Sequence, residues 1–151
     1  MIHFFLILNG GGRTILSKWY KPVPLKERSK IIRDIELTIF KRKSTDSNFV
    51  QYKGINLVYK KYSKIYYIMG IDLDDNELIH LEGIKRFYEI LLGYYDGKVT
   101  ELDLLGAFES NFMLIDEFIL AGDFQETSVI TLKERIGQQM ACLKVEMLEE
   151  I

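Results

Sequence analysis

Cysteine and proline are scarce in this chain of 151 residues. A disulfide framework needs several cysteines, and the chain has only Cys142, so a disulfide-built secreted domain is excluded and a reducing compartment is indicated. The only prolines, Pro22 and Pro24, lie close together, and they predict the end of a single strand.

An excess of one charge and long apolar runs are also missing. Lys plus Arg number 20 and Asp plus Glu number 22, so the formal net charge is −2 and a general nucleic-acid binder is not expected. No uncharged apolar run reaches the length of about 18 residues that a membrane span needs, so any membrane association is expected to come through partners. Ile2–Leu8 is apolar but lacks the basic flank of a signal peptide, and it is predicted to be a strand.

Apolar residues, in contrast, are plentiful. They make up 48% of the chain, and 13% of the residues are aromatic, so the composition is not that of a disordered tail. A chain of this length fits one domain with a sizeable core.

Five strands are predicted. Ile2–Leu8 and Ile65–Ile71 are apolar on both alternations, so we expect them to lie side by side at the centre of a sheet. Arg13–Tyr20 is expected to pair back on the first strand, and Phe49–Lys53 is the third. Ile55–Lys61 alternates between apolar and polar residues, which predicts one buried face.

Helical spacing of apolar residues predicts four helical segments. The first covers Lys26–Lys43, and the second begins at a cap formed by Asp75 or Asn76. The core positions predicted for that second helix are Leu81, Ile84, Tyr88 and Leu91. A longer helix is predicted over Leu102–Leu120, and a last one begins near Thr131.

The helix predicted over Leu102–Leu120 carries an unusually wide apolar surface. Two adjacent stripes run along it, which indicates that the helix is buried from two directions. The covering element is either the helix that begins near Thr131 or a partner protein, and the residues alone leave both open.

No motif predicts catalytic residues, a metal or a cofactor. Gly10–Gly12 precedes strand-like residues, whereas a phosphate-binding glycine loop opens a helix, so a hairpin turn is expected. Asp72–Asn76 resembles the start of a calcium loop but lacks the later glycine and glutamate, so helix capping is expected. His3 and His80 are too few for a typical zinc site, and no catalytic triad is suggested. We therefore do not expect an enzyme.

Two basic groups have no assigned role at this stage. They are Lys41–Lys43, and Lys60 and Lys61 together with Lys64. Solvated turns explain them most simply. The alternative is a contact with anionic lipid headgroups.

Six short blocks over residues 1–128 resemble the small (sigma) subunit of clathrin-associated adaptor complexes, in that family's order and spacing. The blocks are Thr14–Tyr20, Asn48–Val50, Val58–Tyr62, Asp75–Leu78, Glu101–Leu104 and Asp116–Gly122. One extra residue is present near Gly97. Residues 129–151 would then form a C-terminal helical extension.

The resemblance implies an α+β fold of the longin type, in which helices flank a five-stranded antiparallel sheet. It also implies a heterotetramer in which the small subunit joins two large subunits and one medium subunit. A large subunit would be the direct partner, with Leu114 and Phe118 at the interface, and clathrin would be an indirect one.

The resemblance further implies selection of membrane cargo by binding acidic dileucine signals in cytosolic tails, without covalent chemistry. The peptide-binding residues implied are Ser63, Ile65, Tyr88, Val99 and Leu104, with Gly97 and Lys98 at the rim. Two positions depart from the family pattern. Tyr88 replaces a small aliphatic residue, and Ile15 replaces an arginine for which the nearby Arg13 is a substitute.

The expected location is cytoplasmic and peripheral, on Golgi and endosome membranes and coated vesicles, with plasma-membrane coated pits as the second choice. Two other functions stay open. One is a free-standing longin-like regulator of a small GTPase, and the other is a subunit similar to coatomer zeta. The large chain that co-purifies distinguishes these possibilities.

Overall fold

The computed structural model describes residues 1–124 apart from positions 44, 96, 98, 107, 121 and 122. It divides into two compact units, Met1–Lys85 and Arg86–Ile151. The predicted extension at 129–151, with its helix beginning near Thr131, lies outside the described residues. None of the described helices has both the length and the apolar character needed to cross a membrane.

The first unit contains a five-stranded antiparallel sheet. Its strands are β1 (Ile2–Asn9), β2 (Thr14–Trp19), β3 (Phe49–Tyr52), β4 (Ile55–Tyr62) and β5 (Ile65–Asp72), in the spatial order β2-β1-β5-β4-β3. The predicted α+β class and five-stranded antiparallel sheet are confirmed.

The two strands that are apolar on both alternations are neighbours, as predicted. Leu6 of β1 lies opposite Ile68 of β5, and both side chains are fully buried. A buried strand needs apolar residues on both faces, so the continuous apolar runs identified the centre of the sheet.

The prediction of one buried face for β4 was wrong. Leu57, Val58 and Tyr59 are all buried, although consecutive residues point to opposite faces. β4 lies inside the sheet between β5 and β3, and the burial of Val58 as well as of Leu57 and Tyr59 shows that both of its faces are covered there.

The turn between β1 and β2 is a hairpin turn, as predicted. The side-chain oxygen of Asn9 accepts hydrogen bonds from the backbone N–H groups of Gly11 at 3.0 Å and Arg13 at 2.9 Å. Gly12 has a φ of 85°, a conformation that costs glycine little.

Helix α1 (Leu25–Ile39) is shorter than the predicted Lys26–Lys43. Its buried residues, Ile35 and Ile39, join a core cluster formed with apolar side chains of β1, β4 and β5. Burying each of these isoleucines is worth about 1.5–3 kcal/mol. No apolar residue at 41–43 extends the stripe, so packing does not support further helical turns there.

Helix α2 (Glu77–Tyr94) begins at a capping asparagine, as predicted. The side-chain oxygen of Asn76 accepts hydrogen bonds from the backbone N–H groups of Leu78 at 3.0 Å and Ile79 at 3.4 Å. The predicted core stripe was partly wrong. Ile84 and Leu91 are buried, whereas Leu81 and Tyr88 are half-buried and Phe87 and Ile90 are buried instead. Both sets satisfy helical spacing, and they differ by a small rotation of the helix.

The second unit contains two helices where one was predicted over Leu102–Leu120. They are α3 (Glu101–Gly106) and α4 (Phe108–Phe118), and a short hairpin of β6 (Ile119–Leu120) and β7 (Asp123–Phe124) follows. The first helix ends at a glycine, a residue of low helix propensity. Leu104, Leu114 and Ile115 are fully buried.

Candidate functional site

The residues predicted to bind peptide are distributed between the two units. Ser63 and Ile65 belong to the first unit, at the turn between β4 and β5. Tyr88, Gly97, Val99 and Leu104 belong to the second unit. Lys98 lies outside the described residues.

A two-residue turn holds Ser63 in place. Ser63 and Lys64 have φ angles of 50° and 66°, while Tyr62 and Ile65 on either side form the last pair of the β4–β5 ladder. Positive φ at both central positions is typical of the tight turn that matches strand twist. Ile65 is 4% exposed, so its side chain is already covered in the chain.

Gly97 ends the segment that follows α2. It has a φ of 90°, and its backbone N–H donates to the carbonyl oxygen of Leu92 at 2.6 Å. This bond satisfies a carbonyl at the end of the helix, which is a frequent role of a glycine in this conformation. A Cβ atom placed on Gly97 would meet no atom within 4 Å, so only the backbone conformation restricts the residue type.

Helix α3 begins with a capping box that sequence analysis missed. The hydroxyl oxygen of Thr100 accepts from the backbone N–H of Asp103 at 3.2 Å, and the Asp103 carboxylate accepts from the backbone N–H of Thr100 at 3.0 Å. The signal was present in the sequence as a threonine followed three residues later by an acidic residue.

Val99 and Leu104 stand at the two positions of a hydrophobic staple around this box, one before the cap and one four residues into the helix. Val99 is 4% exposed and Leu104 is fully buried. Two of the predicted peptide-binding residues therefore have a structural role in the isolated chain, because a staple fixes the angle at which the chain enters the helix.

A buried polar link stabilises the same region. The Tyr95 hydroxyl donates to the side-chain oxygen of Asn111 at 2.5 Å, and the Asn111 amide donates to the carbonyl oxygen of Leu104 at 2.7 Å. Burial raises the pKa of Tyr95 to about 12, so its hydroxyl stays protonated at neutral pH. No periodic pattern in the sequence indicated this link.

The first unit holds an ionic cluster at one end of its sheet. His3 donates through Nε2 to the carboxylate of Asp72 at 2.5 Å, and Lys21 lies 3.5 Å from the same carboxylate. The hydrogen bond from His3 is the main cause that lowers the pKa of Asp72 below its usual range. His3 is thus a partly buried, hydrogen-bonded residue. Within the described residues, no group of three or more His, Cys, Asp or Glu side chains is arranged to hold a metal ion.

The family model for the clathrin adaptor complex small chain matches residues 1–142. The chain belongs to this family. This small chain is 45% identical to the AP-1 complex subunit sigma-1 of Schizosaccharomyces pombe, over 84% of its own length and 78% of that protein. It is 43% identical to mouse AP-1 complex subunit sigma-3, over 90% and 88% of the two chains. It is 42% identical to AP-1 complex subunit sigma-2 of Arabidopsis thaliana, over 96% and 89%.

A similar fold is found in a homology model of the full-length AP-3 complex in a stretched open conformation. The TM-score is 0.77, the identity is 24%, and the match covers 99% of each chain. The family expected from the six sequence blocks is confirmed. The matches do not favour the regulator of a small GTPase or the coatomer zeta alternative.

The predicted interface residues of the small chain are covered by the chain itself. Leu114 is fully buried and Phe118 is 3% exposed, with its ring centroid 6.0 Å from that of Phe87. Leu105, on the preceding helix α3, is 41% exposed. Direct contact of this region with another subunit would therefore rely on exposed neighbours such as Leu105, while Leu114 and Phe118 support the helix from inside.

Proposed function

We propose that this chain is the small subunit of a clathrin adaptor complex of the AP-1 type, a non-enzymatic component of vesicle-mediated protein transport. The observation that carries the proposal is the similarity to AP-1 sigma subunits from a fungus, an animal and a plant, at 42–45% identity over most of each chain. Because sigma subunits of AP-1 from three distant groups of organisms resemble this chain about equally well, the similarity indicates the AP-1 subtype. It does not simply reflect descent within one group of organisms.

The expected setting is a heterotetramer with two large subunits and one medium subunit. The complex would reach Golgi and endosome membranes peripherally and would contact clathrin indirectly. Purification of the tagged full-length chain from its own cells tests this. Recovery of large and medium chains of the AP-1 type supports the proposal, whereas recovery of only a small GTPase, or of coatomer chains, contradicts it.

The contact with the large subunit is proposed to include the exposed part of α3. Leu105→Asp places a charge on a side chain that is 41% exposed, so the chain should fold while co-purification of the large subunit falls. Leu37→Asp is the matched control, because Leu37 is 56% exposed on α1 in the first unit. Equal recovery of the large subunit with both variants would show that α3 is not part of the interface.

Binding of acidic dileucine signals is also proposed, and it rests on the resemblance of individual positions to the family pattern. Three of these positions, Ile65, Val99 and Leu104, carry apolar residues that are at most 4% exposed. Leucine side chains prefer such apolar surroundings, at about 1.5–3 kcal/mol for each side chain that becomes buried. Because these three residues are covered in the free chain, binding would require that neighbouring side chains move away.

Tyr88 is the residue whose replacement best tests this binding. It is half-buried, and it is larger than the aliphatic residue that the family pattern has there. Tyr88→Val should leave binding of an E-x-x-x-L-L peptide to the assembled complex unchanged or should strengthen it. An E-x-x-x-A-A peptide is the control. If neither the unmodified complex nor the Tyr88→Val complex prefers the leucine peptide, the dileucine proposal fails and the assembly role stands alone.

A further inference from the structure

A cavity of about 290 Å³ lies in the first unit, between the end of α1, the turn after it, and strands β4 and β5. The residues that line this basic cavity are Ile39, Arg42, Lys43, Asp46, Asn48, Tyr59, Lys60, Lys61 and Tyr66. Tyr59, Tyr66 and Ile39 also belong to, or pack against, the core cluster beneath α1, so one wall of the cavity is fixed by the core.

Positive charge dominates the lining of the basic cavity. Arg42, Lys43, Lys60 and Lys61 are among the lining residues, and Asp46 is the only acidic one. The Lys60 ammonium lies 6.0 Å from the centroid of the Tyr62 ring, which does not line the cavity, so Arg42, Lys43 and Lys61 are the cations that bear on it. Asp46 accepts a hydrogen bond from the backbone N–H of Lys43 at 2.8 Å, so the carboxylate is used to shape the turn. Within the described part of the chain, no ion pair joins Arg42, Lys43 or Lys61 to a carboxylate. Like charges facing one cavity repel, and a bound anion would relieve that repulsion.

The guanidinium of Arg42 is held in position before any ligand binds. Its Nε donates to the Tyr59 hydroxyl at 2.9 Å, and one terminal nitrogen donates to the carbonyl oxygen of Ser47 at 2.7 Å. The Asn48 amide donates to the carbonyl oxygen of Tyr59 at 2.9 Å and fastens the turn to β4. These bonds leave the other terminal nitrogen of Arg42 available for a ligand oxygen at low cost in conformational entropy.

Lys61 is oriented by an aromatic ring. It lies opposite Tyr66 in the β4–β5 register, and its ammonium nitrogen is 5.3 Å from the centroid of the Tyr66 ring. That ring stacks on Phe40 at the end of α1, with centroids 4.4 Å apart. The ammonium and the guanidinium therefore come from two elements that the core holds in register.

We infer that the basic cavity binds a phosphate monoester group. A dianionic phosphate presents three terminal oxygens, which match the one planar guanidinium of Arg42 and the two ammonium groups of Lys43 and Lys61, whereas a carboxylate has only two oxygens. The volume of about 290 Å³ is just below the about 300–1,000 Å³ of typical ligand pockets, which suits a compact charged group. The group is carried either by a lipid headgroup or by a soluble phosphate ester.

Two probes distinguish these sources on the full-length chain. The first is inositol trisphosphate, titrated by calorimetry with inositol as the uncharged blank. The second is sedimentation with phosphatidylcholine vesicles that contain phosphatidylinositol monophosphate, compared with phosphatidylserine vesicles of equal surface charge. Binding of the soluble probe and preference for the monophosphate vesicles indicate a headgroup site. Binding of the soluble probe alone indicates a soluble phosphate ester.

The double variant Lys43→Ala and Lys61→Ala removes two cations from the lining. Both side chains are exposed, so folding should be preserved, and affinity for each bound probe should fall at least about tenfold. The matched control is Lys26→Ala with Lys41→Ala, which removes the same charge from exposed residues outside the lining and should change affinity less than about twofold. Three results would overturn the inference. They are absence of binding to both probes, equal binding to the two kinds of vesicle without binding of inositol trisphosphate, and equal losses of affinity in the two double variants.

Discussion

The side-chain amide of Asn111 donates a hydrogen bond to the carbonyl oxygen of Leu104, at 2.7 Å, and so joins α4 to the end of α3. Asn111 is fully buried, and its own oxygen accepts a hydrogen bond from Tyr95. One side chain thus satisfies a buried helix-terminal carbonyl and the hydroxyl of the half-buried Tyr95.

Asn111→Ala should therefore lower the free energy of unfolding by about 1–3 kcal/mol, because it removes the buried hydrogen bond to the carbonyl oxygen of Leu104 and the short bond from the Tyr95 hydroxyl. Urea denaturation of the full-length chain measures this. Asn56→Ala is the control, since the Asn56 amide makes a single long contact of 3.5 Å with the carbonyl oxygen of Leu73. Equal losses for the two variants would contradict the role assigned to Asn111.

Phe118→Asp should reduce the yield of folded chain by placing a carboxylate at a side chain that is 3% exposed and packed near Phe87. A buried, unpaired charge costs several kcal/mol. The soluble fraction and the thermal unfolding midpoint measure the effect. Leu105→Asp introduces the same charge at a 41% exposed side chain and should leave both quantities near those of the unmodified chain. A Phe118→Asp chain as stable as Leu105→Asp would mean that Phe118 faces solvent.

Asp72→Asn should lower the stability of the folded chain at neutral pH, and it should change how that stability varies as the pH is lowered. The hydrogen bond from His3 lowers the pKa of Asp72 in the folded chain. A lowered carboxyl pKa stabilises the folded chain above the unfolded value of about 3.9, and that contribution is lost as the pH falls toward the folded value. The stability difference between the unmodified chain and Asp72→Asn should thus shrink as the pH is lowered below about 4. Asp74→Asn, at an exposed carboxyl, should show a smaller difference throughout.

Gly70→Ala should destabilise the sheet. A Cβ atom at Gly70 of β5 would lie 2.5 Å from the ring of Phe4, which is buried and has its centroid 5.0 Å from that of Trp19. The ring has little room to move, so overpacking should cost about 1–3 kcal/mol. Gly10→Ala is the control, because its Cβ would make an ordinary contact of 3.5 Å with the carbonyl oxygen of Lys64. A neutral effect at Gly70 would show that Phe4 repacks freely.

The centre of the sheet was predictable because Ile2–Asn9 and Ile65–Asp72 are buried on both faces, and that burial leaves a continuous apolar run in the sequence. The division of the predicted long helix into α3 and α4 was not predictable from its stripes, because both helices continue an apolar pattern across Gly106. The choice of Phe87 over Tyr88 depends on a rotation of α2 that helical spacing alone does not specify.

The arrangement of the candidate sites was likewise not predictable from local sequence patterns. The apolar character of Val99 and Leu104 was evident, but their relationship as a staple depends on the start of α3, which sequence analysis had placed inside a longer helix. Lys43 and Lys61 belonged to two separate basic groups, and only the fold brings both to one cavity. Predicting contacts between residues far apart in sequence requires knowledge of the chain topology, and local sequence patterns do not specify that topology.

The pairing of the central strands has a consequence for synthesis of the chain. Asn9 of β1 pairs with Ile65 of β5. During synthesis, one edge of the almost wholly apolar strand β1 therefore stays unpaired until the ribosome has made β5. At about 5–20 residues per second, that wait lasts several seconds on the ribosome, whereas the β4–β5 hairpin closes in microseconds once made. During that interval the nascent β1–β2 hairpin presents an uncovered apolar edge, which makes it a natural binding site for chaperones.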